Sequence, residues 1–520
     1  MHYIWTNKEN KDLHDVLLKE SSEHEFLSKD DENSTLQSID KGSYYEYSEK
    51  LFDFEMKRMG FNLEGTWRIS NLNNDYQFCS SYPRKIIVPS FVQDDSLKNV
   101  ALFRSSKRIP AAVYRHNKNG AVIARCSQPE VGLLCWRCNE DEDLVKAIAE
   151  AVSQDQYNNK RKYQSNGGNS LQNGASSNNL NGVDSNNLNQ PKSSTDCEPH
   201  KEDSNNDSTP TSEDDSFQRM GRNGEPVKKV LVVDARSYTT AIANRARGGG
   251  VEHSDYYTSC DIQFMNLANI HTIRKSHQSL RNCMVSPPEL PTWLSSLEAT
   301  KWFSHMSGLL KAATIVAQAI SYEGRPVLVH CSDGWDRTPQ ITSLAQLLLD
   351  PFYRTFNGFQ VLVDKEWVEF GHKFSDRCGT GMGSEDVNER CPVFLQWLDC
   401  VYQIQRQYDT AFEFNNAYLV KLAQHVYSNL FGNFSCNTSE ERVKARIYDH
   451  TYSVWAYLKL NKARYKNYVY QSNPNVLFPS YYTRDLQLWT SVYLTNVCCD
   501  TDELHSKSNN ISPEEVCTKE

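Results

Sequence analysis

Two short stretches of this 520-residue chain, VLVV (230–233) and VLV (327–329), are apolar at every position and bounded by polar or turn-forming residues. Strands with one wet face alternate apolar and polar side chains, whereas an unbroken short run belongs to a strand covered on both faces. Helical stretches stand around the second run: WFSHMSGLLKAATIVAQAI (302–320) precedes it and ITSLAQLLLDPFYRTF (341–356) follows it. Strand, helix, strand, helix in that order predicts an α/β sheet domain with parallel neighbours. Upstream, KIIVPSF (85–91) reads as a strand, RIPAAVYRH (108–116) and AVIARCSQ (121–128) as a hairpin across the turn at 117–120, and DEDLVKAIAEAV (141–152) as a helix with an acidic first turn. From Cys391 to about Leu430 the pattern is amphipathic helix.

Hydrophobic residues make up 39% of the chain, and the shortfall is local. Residues 156–225 are mostly Asn, Ser, Gly and Gln, and cannot bury enough surface to offset chain entropy. That tract reads as a disordered insertion within one domain spanning residues 44–499. Residues 1–43 read as an acidic disordered arm, and residues 500–520 as an acidic tail. About 390 residues remain, enough for one large core. Net charge is −9, yet those three segments carry −12 between them and leave +3 on the rest. This is not the profile of a nucleic-acid binder, but a local basic patch can still hold an anion. The absence of any run of about 18 apolar residues predicts no transmembrane helix. With no apolar core to a signal peptide at the start, the fifteen cysteines read as reduced thiols in the cytosol. Cys135 and Cys138 form the one C-x-x-C; with no second pair nearby, free thiols are the expectation, with no metal and no cofactor.

The segment that carries chemistry runs from Val327 to Pro339. Cys331 ends a buried strand, Arg337 follows six positions later, and a helix begins directly after. A loop of this length can turn successive backbone N–H groups inward to make an anion nest closed by a helix N-terminus. A thiolate in the nest is stabilised by the same donors. Arg337 offers a planar fork for two phosphoryl oxygens, Gly334 permits backbone angles other residues resist, and Thr338 can donate its hydroxyl to the sulfur. The pattern predicts thiolate attack on a phosphate ester, with a chance buried Cys and surface Arg as the bland alternative.

HCSDGWDRTPQ (330–340) resembles the active-site loop of the myotubularin-related phosphoinositide phosphatases. SSYPRKIIVPS, FRSSKRIPAAVYRH, RCSQPEVG, DARSYTTAIANRARGGG, NIHTIRKS, WLSSLEATKW, DPFYRTFNGFQVLVDKEWVEFGHKF and NERCPVFLQWLDC extend the resemblance over residues 44–495, nearest the branch whose longer members carry a C-terminal FYVE finger. The resemblance implies an α/β fold with a cysteine-phosphatase-like central sheet flanked by helices and elaborated with extra ones. It also implies hydrolysis of the 3-phosphate of phosphatidylinositol 3-phosphate and phosphatidylinositol 3,5-bisphosphate through a cysteinyl-phosphate. The implied partners are phosphoinositide head groups on membrane surfaces, with no nucleic acid, and other family members in homo- or hetero-oligomers. The implied location is cytoplasmic, peripheral on endosomal or other intracellular membranes. Residues 1–43 do not resemble the PH-GRAM domain with which members usually begin, and Cys517 alone after Cys499 is too little for a FYVE finger, so those modules are not expected to recruit this chain. The rival readings are a protein tyrosine or dual-specificity phosphatase and a non-catalytic phosphoinositide-binding scaffold.

No Trp-Pro-Asp acid loop occurs, and two aspartates lie inside the active-site loop instead. The resemblance implies that Asp336 protonates the leaving inositol oxygen, and a carboxyl beside a phosphate dianion is expected to titrate high; Asp333 is expected to shape the loop and meet head-group hydroxyls. It also places Asn244, Asn269, Ile270, Ser332, Asp333, Gly334, Trp335, Asp336, Arg337 and Lys373 around the substrate. A cap or turn is the bland role for each Asn, and a solvated face for Lys373. Arg245 and Arg247, ahead of the triple glycine at 248–250, read equally as lipid-facing or as part of a plain surface loop.

Overall fold

The computed structural model describes residues 44–168, 227–286, 291–381 and 386–494. Seven strands among them form one mixed sheet in the order β1-β2-β3-β4-β7-β5-β6. They are β1 (Trp67–Ser70), β2 (Ile86–Pro89), β3 (Ala111–Arg115), β4 (Val122–Cys126), β5 (Val230–Asp234), β6 (Cys260–Phe264) and β7 (Val327–His330). β1 to β4 run as an antiparallel meander, while β4, β7, β5 and β6 are mutually parallel. Every residue of β4, β5 and β7 is buried, as the unbroken apolar runs of β5 and β7 require, and β4 buries Arg125 among apolar neighbours. β6 alternates and lies at the edge, with Asp261 and Gln263 exposed.

Helices cover both the meander and the parallel half. Of those used below, α1 is Tyr44–Met59, α2 Asp94–Phe103, α3 Asn139–Gly168, α4 Ile270–Val285, α5 Trp302–Ser321, α6 Arg337–Leu349 and α7 Val393–Gln407. α6 packs along α5 and rests on β4 and β7, with α7 against both helices; α3 contacts β2 and β5. α1 is tied to the body where Glu55 accepts from Tyr353 Oη at 2.5 Å and Lys365 Nζ at 3.0 Å.

The sequence expectations of a strand at 85–91, a hairpin at 108–128 and a helix from 302 hold. Two boundaries differ. The helix expected over 341–356 stops at Leu349, because Pro351 has no N–H and disfavours helical geometry at Asp350, which turns extended and caps a 3₁₀ turn, Pro351–Arg354. α3 continues to Gly168, past Gln156, so the first part of the Asn/Ser tract is helical. The rest of that tract, residues 1–43 and the tail lie outside the described residues.

The parallel half fixes where chemistry can occur. β7 lies between β4 and β5, its His330 in register with Cys126 and Asp234. The segments leaving the C-terminal ends of β4, β5, β6 and β7 therefore emerge at one edge, where open α/β sheets bind ligands.

Candidate active site

Cys331 is the first residue beyond β7 and is buried. Its Sγ receives two hydrogen bonds, from Gly334 N at 3.2 Å and from Thr338 Oγ1 at 3.3 Å. The sulfur thus sits at the bottom of the loop, between a backbone amide and the first turn of α6.

The loop is shaped by what holds its carbonyls. Ser332 O accepts from Gln128 N at 2.9 Å. Gly334 O accepts from Arg108 Nη2 at 2.9 Å and Arg125 Nη2 at 2.8 Å. Trp335 O lies 2.8 Å from His372 Nδ1, and Cys331 O 3.1 Å from His330 Nδ1. A carbonyl only accepts, so both imidazoles carry their proton on Nδ1. With carbonyls drawn outward at four positions, the Gly334 amide turns in toward the sulfur. Gly334 has φ +80°, and a Cβ there would stand 2.4 Å from Cys126 O at the end of β4, so glycine is required both for the angle and for the space.

Beneath the loop lies a buried charge chain. His330 Nε2 is 3.2 Å from Glu252 Oε2; Glu252 Oε1 accepts from Arg104 Nη1 at 2.7 Å; Arg104 grips Asp141 through Nε at 2.8 Å and Nη2 at 2.6 Å. Burial alone would push the His330 imidazole down, but the Glu252 carboxylate outweighs it and the net shift is upward. His330 thus sets Nδ1 on Cys331 O and turns Nε2 toward the Glu252 carboxylate.

At the rim, Arg337 is half-buried, with Nη1 3.3 Å from Leu267 O after β6 and Nη2 3.4 Å from Ser332 Oγ. Both are long contacts that leave the fork available. Asn244, in a short turn after β5, gives Nδ2 to Ser332 Oγ at 3.3 Å and to Gln128 Oε1 at 3.1 Å. Lys373 sets its ammonium 4.7 Å from the Trp335 ring centroid and 3.7 Å from Asp376. Asn269 is exposed and takes the cap role: its side chain accepts from Thr272 N at 3.0 Å and opens α4 at Ile270. It and Ile270 follow Leu267, whose carbonyl touches Arg337, two and three positions on in the chain.

The two aspartates of the loop stand in different surroundings. Asp336 is buried, and Arg377 holds both its oxygens, Nε at 3.0 Å and Nη2 at 2.9 Å, with His372 Nδ1 3.3 Å away. Burial pushes this carboxyl up, yet the Arg377 charge with the Arg377 and His372 hydrogen bonds wins, and it stays ionised far below the ordinary carboxylate range. The protein groups acting on Asp336 are led by a buried arginine from a later helix, whereas the upward shift expected for it was one beside a phosphate dianion. Asp333 is the carboxyl pushed up, by burial first and then by the Asp336 charge, against the opposing pull of Arg337, Arg108 and Lys373.

Residues with no role in the sequence reading hold the loop: Arg108, Arg125, Gln128, Glu252, His372 and Arg377. Arg108, Arg125 and Gln128 stand in the motifs FRSSKRIPAAVYRH and RCSQPEVG, and Arg125, a charge inside an otherwise apolar strand, was the available signal.

A thiol on the floor of an anion loop, at the C-terminal end of a central parallel strand and ahead of an arginine-led helix, places the chain in the cysteine-phosphatase class of α/β folds. The myotubularin-like phosphatase domain matches residues 24–443. The chain is 49% identical over 456 residues to phosphatidylinositol-3,5-bisphosphate 3-phosphatase MTMR4 of Xenopus laevis, covering 87% of this chain and 39% of that protein. It is 49% identical over 441 residues to the human and mouse proteins of the same name, covering 85% of this chain and 34% of each. The chain belongs to the myotubularin-like phosphatase family and spans well under half the length of those relatives.

Proposed function

We propose that this chain removes the 3-phosphate of phosphoinositides, phosphatidylinositol 3-phosphate and its 3,5-bisphosphate, by way of a phosphocysteine. The observation that carries the reading is the Cys331 sulfur receiving both the Gly334 amide and the Thr338 hydroxyl at the bottom of a loop rimmed by Arg337. The names of the curated relatives support the substrate class.

In the first step the Arg337 fork holds two phosphoryl oxygens while the thiolate attacks phosphorus in line with the inositol oxygen. The S–P bond forms, the P–O bond breaks, and the departing alkoxide takes a proton. Two carboxyls whose environments push them apart divide the work of acid and fixed anion. Asp333, which has no cationic partner at bonding distance among the described residues, is assigned the proton; Asp336, gripped on both oxygens by Arg377, positions Arg377 and His372 behind Trp335. In the second step Asp333, now a carboxylate, takes a proton from water as its oxygen attacks phosphorus; the O–P bond forms, the P–S bond breaks, and the thiolate leaves onto the Gly334 and Thr338 donors. Asn244, Ser332 and Lys373 ring the head group, Asn donating or accepting as a hydroxyl requires.

A phosphate-release panel of all phosphoinositides and a phosphotyrosine peptide tests the reading. Release confined to 3-phosphorylated lipids, abolished by Cys331→Ser and largely lost in Arg337→Lys, is the expected result. Faster release from the peptide would make the chain a protein phosphatase instead; turnover in Cys331→Ser would remove the nucleophile.

A further inference from the structure

Where β4 leaves the sheet beside the active-site loop, the chain makes a tight, wholly apolar tip. Leu133, Leu134 and Trp136 are 75%, 78% and 64% exposed, although the sequence VGLLCW would suit a core. The tip is built, not frayed: Trp136 N bonds Val131 O at 2.8 Å, Gly132 N bonds Gly249 O at 3.0 Å, and Gly132 and Cys135 take φ +61° and +55°. Val131 and Gly132 stay buried beneath it, while Leu133, Leu134, Cys135, Trp136 and Arg137 stand in solvent.

Position gives the tip a meaning. Gln128, three residues before Val131, bonds the active-site loop at Ser332 O and accepts from Asn244, so tip and cradle share one edge of the sheet. Beside the tip run Arg245 and Arg247: Arg245 Nη1 lies 4.0 Å from Cys135 Sγ, and Arg247 is exposed. Arg137 lies over the Tyr256 ring at 3.7 Å and is paired with Glu142. Residues 131–138 hold no acidic side chain; Glu130 and Glu140 stand outside the tip.

We propose that Leu133, Leu134 and Trp136 enter the bilayer that carries the substrate, with Arg245 and Arg247 on its anionic head groups. The inference rests on the phosphoinositide reading, which puts a bilayer against this edge during turnover. Two leucines suit the hydrocarbon boundary, tryptophan suits the interface, and flanking arginines suit anionic lipid. No helix of the described residues is long and apolar enough to cross a membrane, and a surface-inserted tip needs none.

The test uses the full chain with Leu133→Ser/Leu134→Ser, and separately Trp136→Ser. Three readouts are compared: hydrolysis of phosphatidylinositol 3-phosphate in phosphatidylcholine–phosphatidylserine vesicles, hydrolysis of its water-soluble dibutanoyl form, and sedimentation with the same vesicles lacking phosphoinositide. The expected result is a loss of about tenfold or more in vesicle turnover and co-sedimentation, with soluble turnover unchanged. Wild-type behaviour on vesicles overturns the proposal. So does a fall in the wild-type's mass by sedimentation velocity on substitution, which would make the tip a contact between copies of the chain. A wild type inert on both substrates sinks the phosphoinositide reading, while the sedimentation arm still decides whether the tip binds lipid.

Discussion

Replacing each loop aspartate by asparagine separates a proton donor from a fixed anion. In Asp333→Asn the amide cannot protonate inositol oxide, and the missing acid costs about 10²–10⁴-fold on that poor leaving group. An aryl phosphate, whose oxide departs without a proton, should lose far less. In Asp336→Asn the change is of another kind. Arg377 keeps Glu389 at 2.7 Å but loses the bidentate anion that neutralises it, and breaking a buried pair from one side costs about 3–5 kcal/mol of stability. That variant should lose rate equally on both substrates, because Arg377 and His372 no longer fix the Trp335 end of the loop, and its denaturation midpoint should drop. The assay is single-turnover formation of phosphocysteine with dibutanoyl phosphatidylinositol 3-phosphate and with an aryl phosphate, so that slow hydrolysis does not mask the first step. A leaving-group-selective loss at Asp336 and none at Asp333 would refute the assignment. It would mean that a bound phosphate dianion overcomes Arg377 and puts the proton on Asp336, as the family resemblance alone implies.

Gly334→Ala should abolish turnover and lower thermal stability, since a Cβ at φ +80° and 2.4 Å from Cys126 O forces the loop off β4; phosphate release and a melting curve check it. Thr338→Ala should slow phosphocysteine breakdown more than its formation, seen as a larger burst in rapid-quench kinetics, because the hydroxyl at 3.3 Å helps the thiolate leave. Asp364, buried and bonded by Tyr47 Oη and by Trp455 Nε1 at 2.9 Å, is pushed up to about 7, burial outweighing the two hydrogen bonds. Its folded value lies above the unfolded ~3.9, so the stability it contributes is full below pH 4 and is lost as pH rises toward 7. Urea denaturation should therefore show about 2 kcal/mol less stability from this group at pH 8 than at pH 5.5, and Asp364→Asn should flatten that share of the slope; a slope unchanged by the substitution would show that Asp364 is not its source.

The strands that position Cys331 were legible because burial on both faces leaves a one-dimensional mark, an unbroken apolar run, at β5 and β7. The candidate nucleophile Cys331 and Arg337 were legible because a six-residue spacing between strand and helix is itself a local requirement. β6 was not, since CDIQF at a sheet edge alternates and resembles any short polar stretch. The charge state of the loop was illegible for a different reason. What ionises Asp336 is Arg377, forty-one residues away in the chain, and what draws Gly334 O outward is Arg108 and Arg125 from the antiparallel meander. Arg125 is a buried charge inside β4 and Arg108 stands just ahead of β3, and both reach the loop because β4 pairs with β7, a contact between residues two hundred positions apart. A local motif therefore names the reacting atoms, while the fields acting on them are set by topology. For this chain the consequence is specific: two aspartates three residues apart, indistinguishable by spacing, shift in opposite directions because burial and its neighbour's charge push Asp333 up while Arg377 holds Asp336 down.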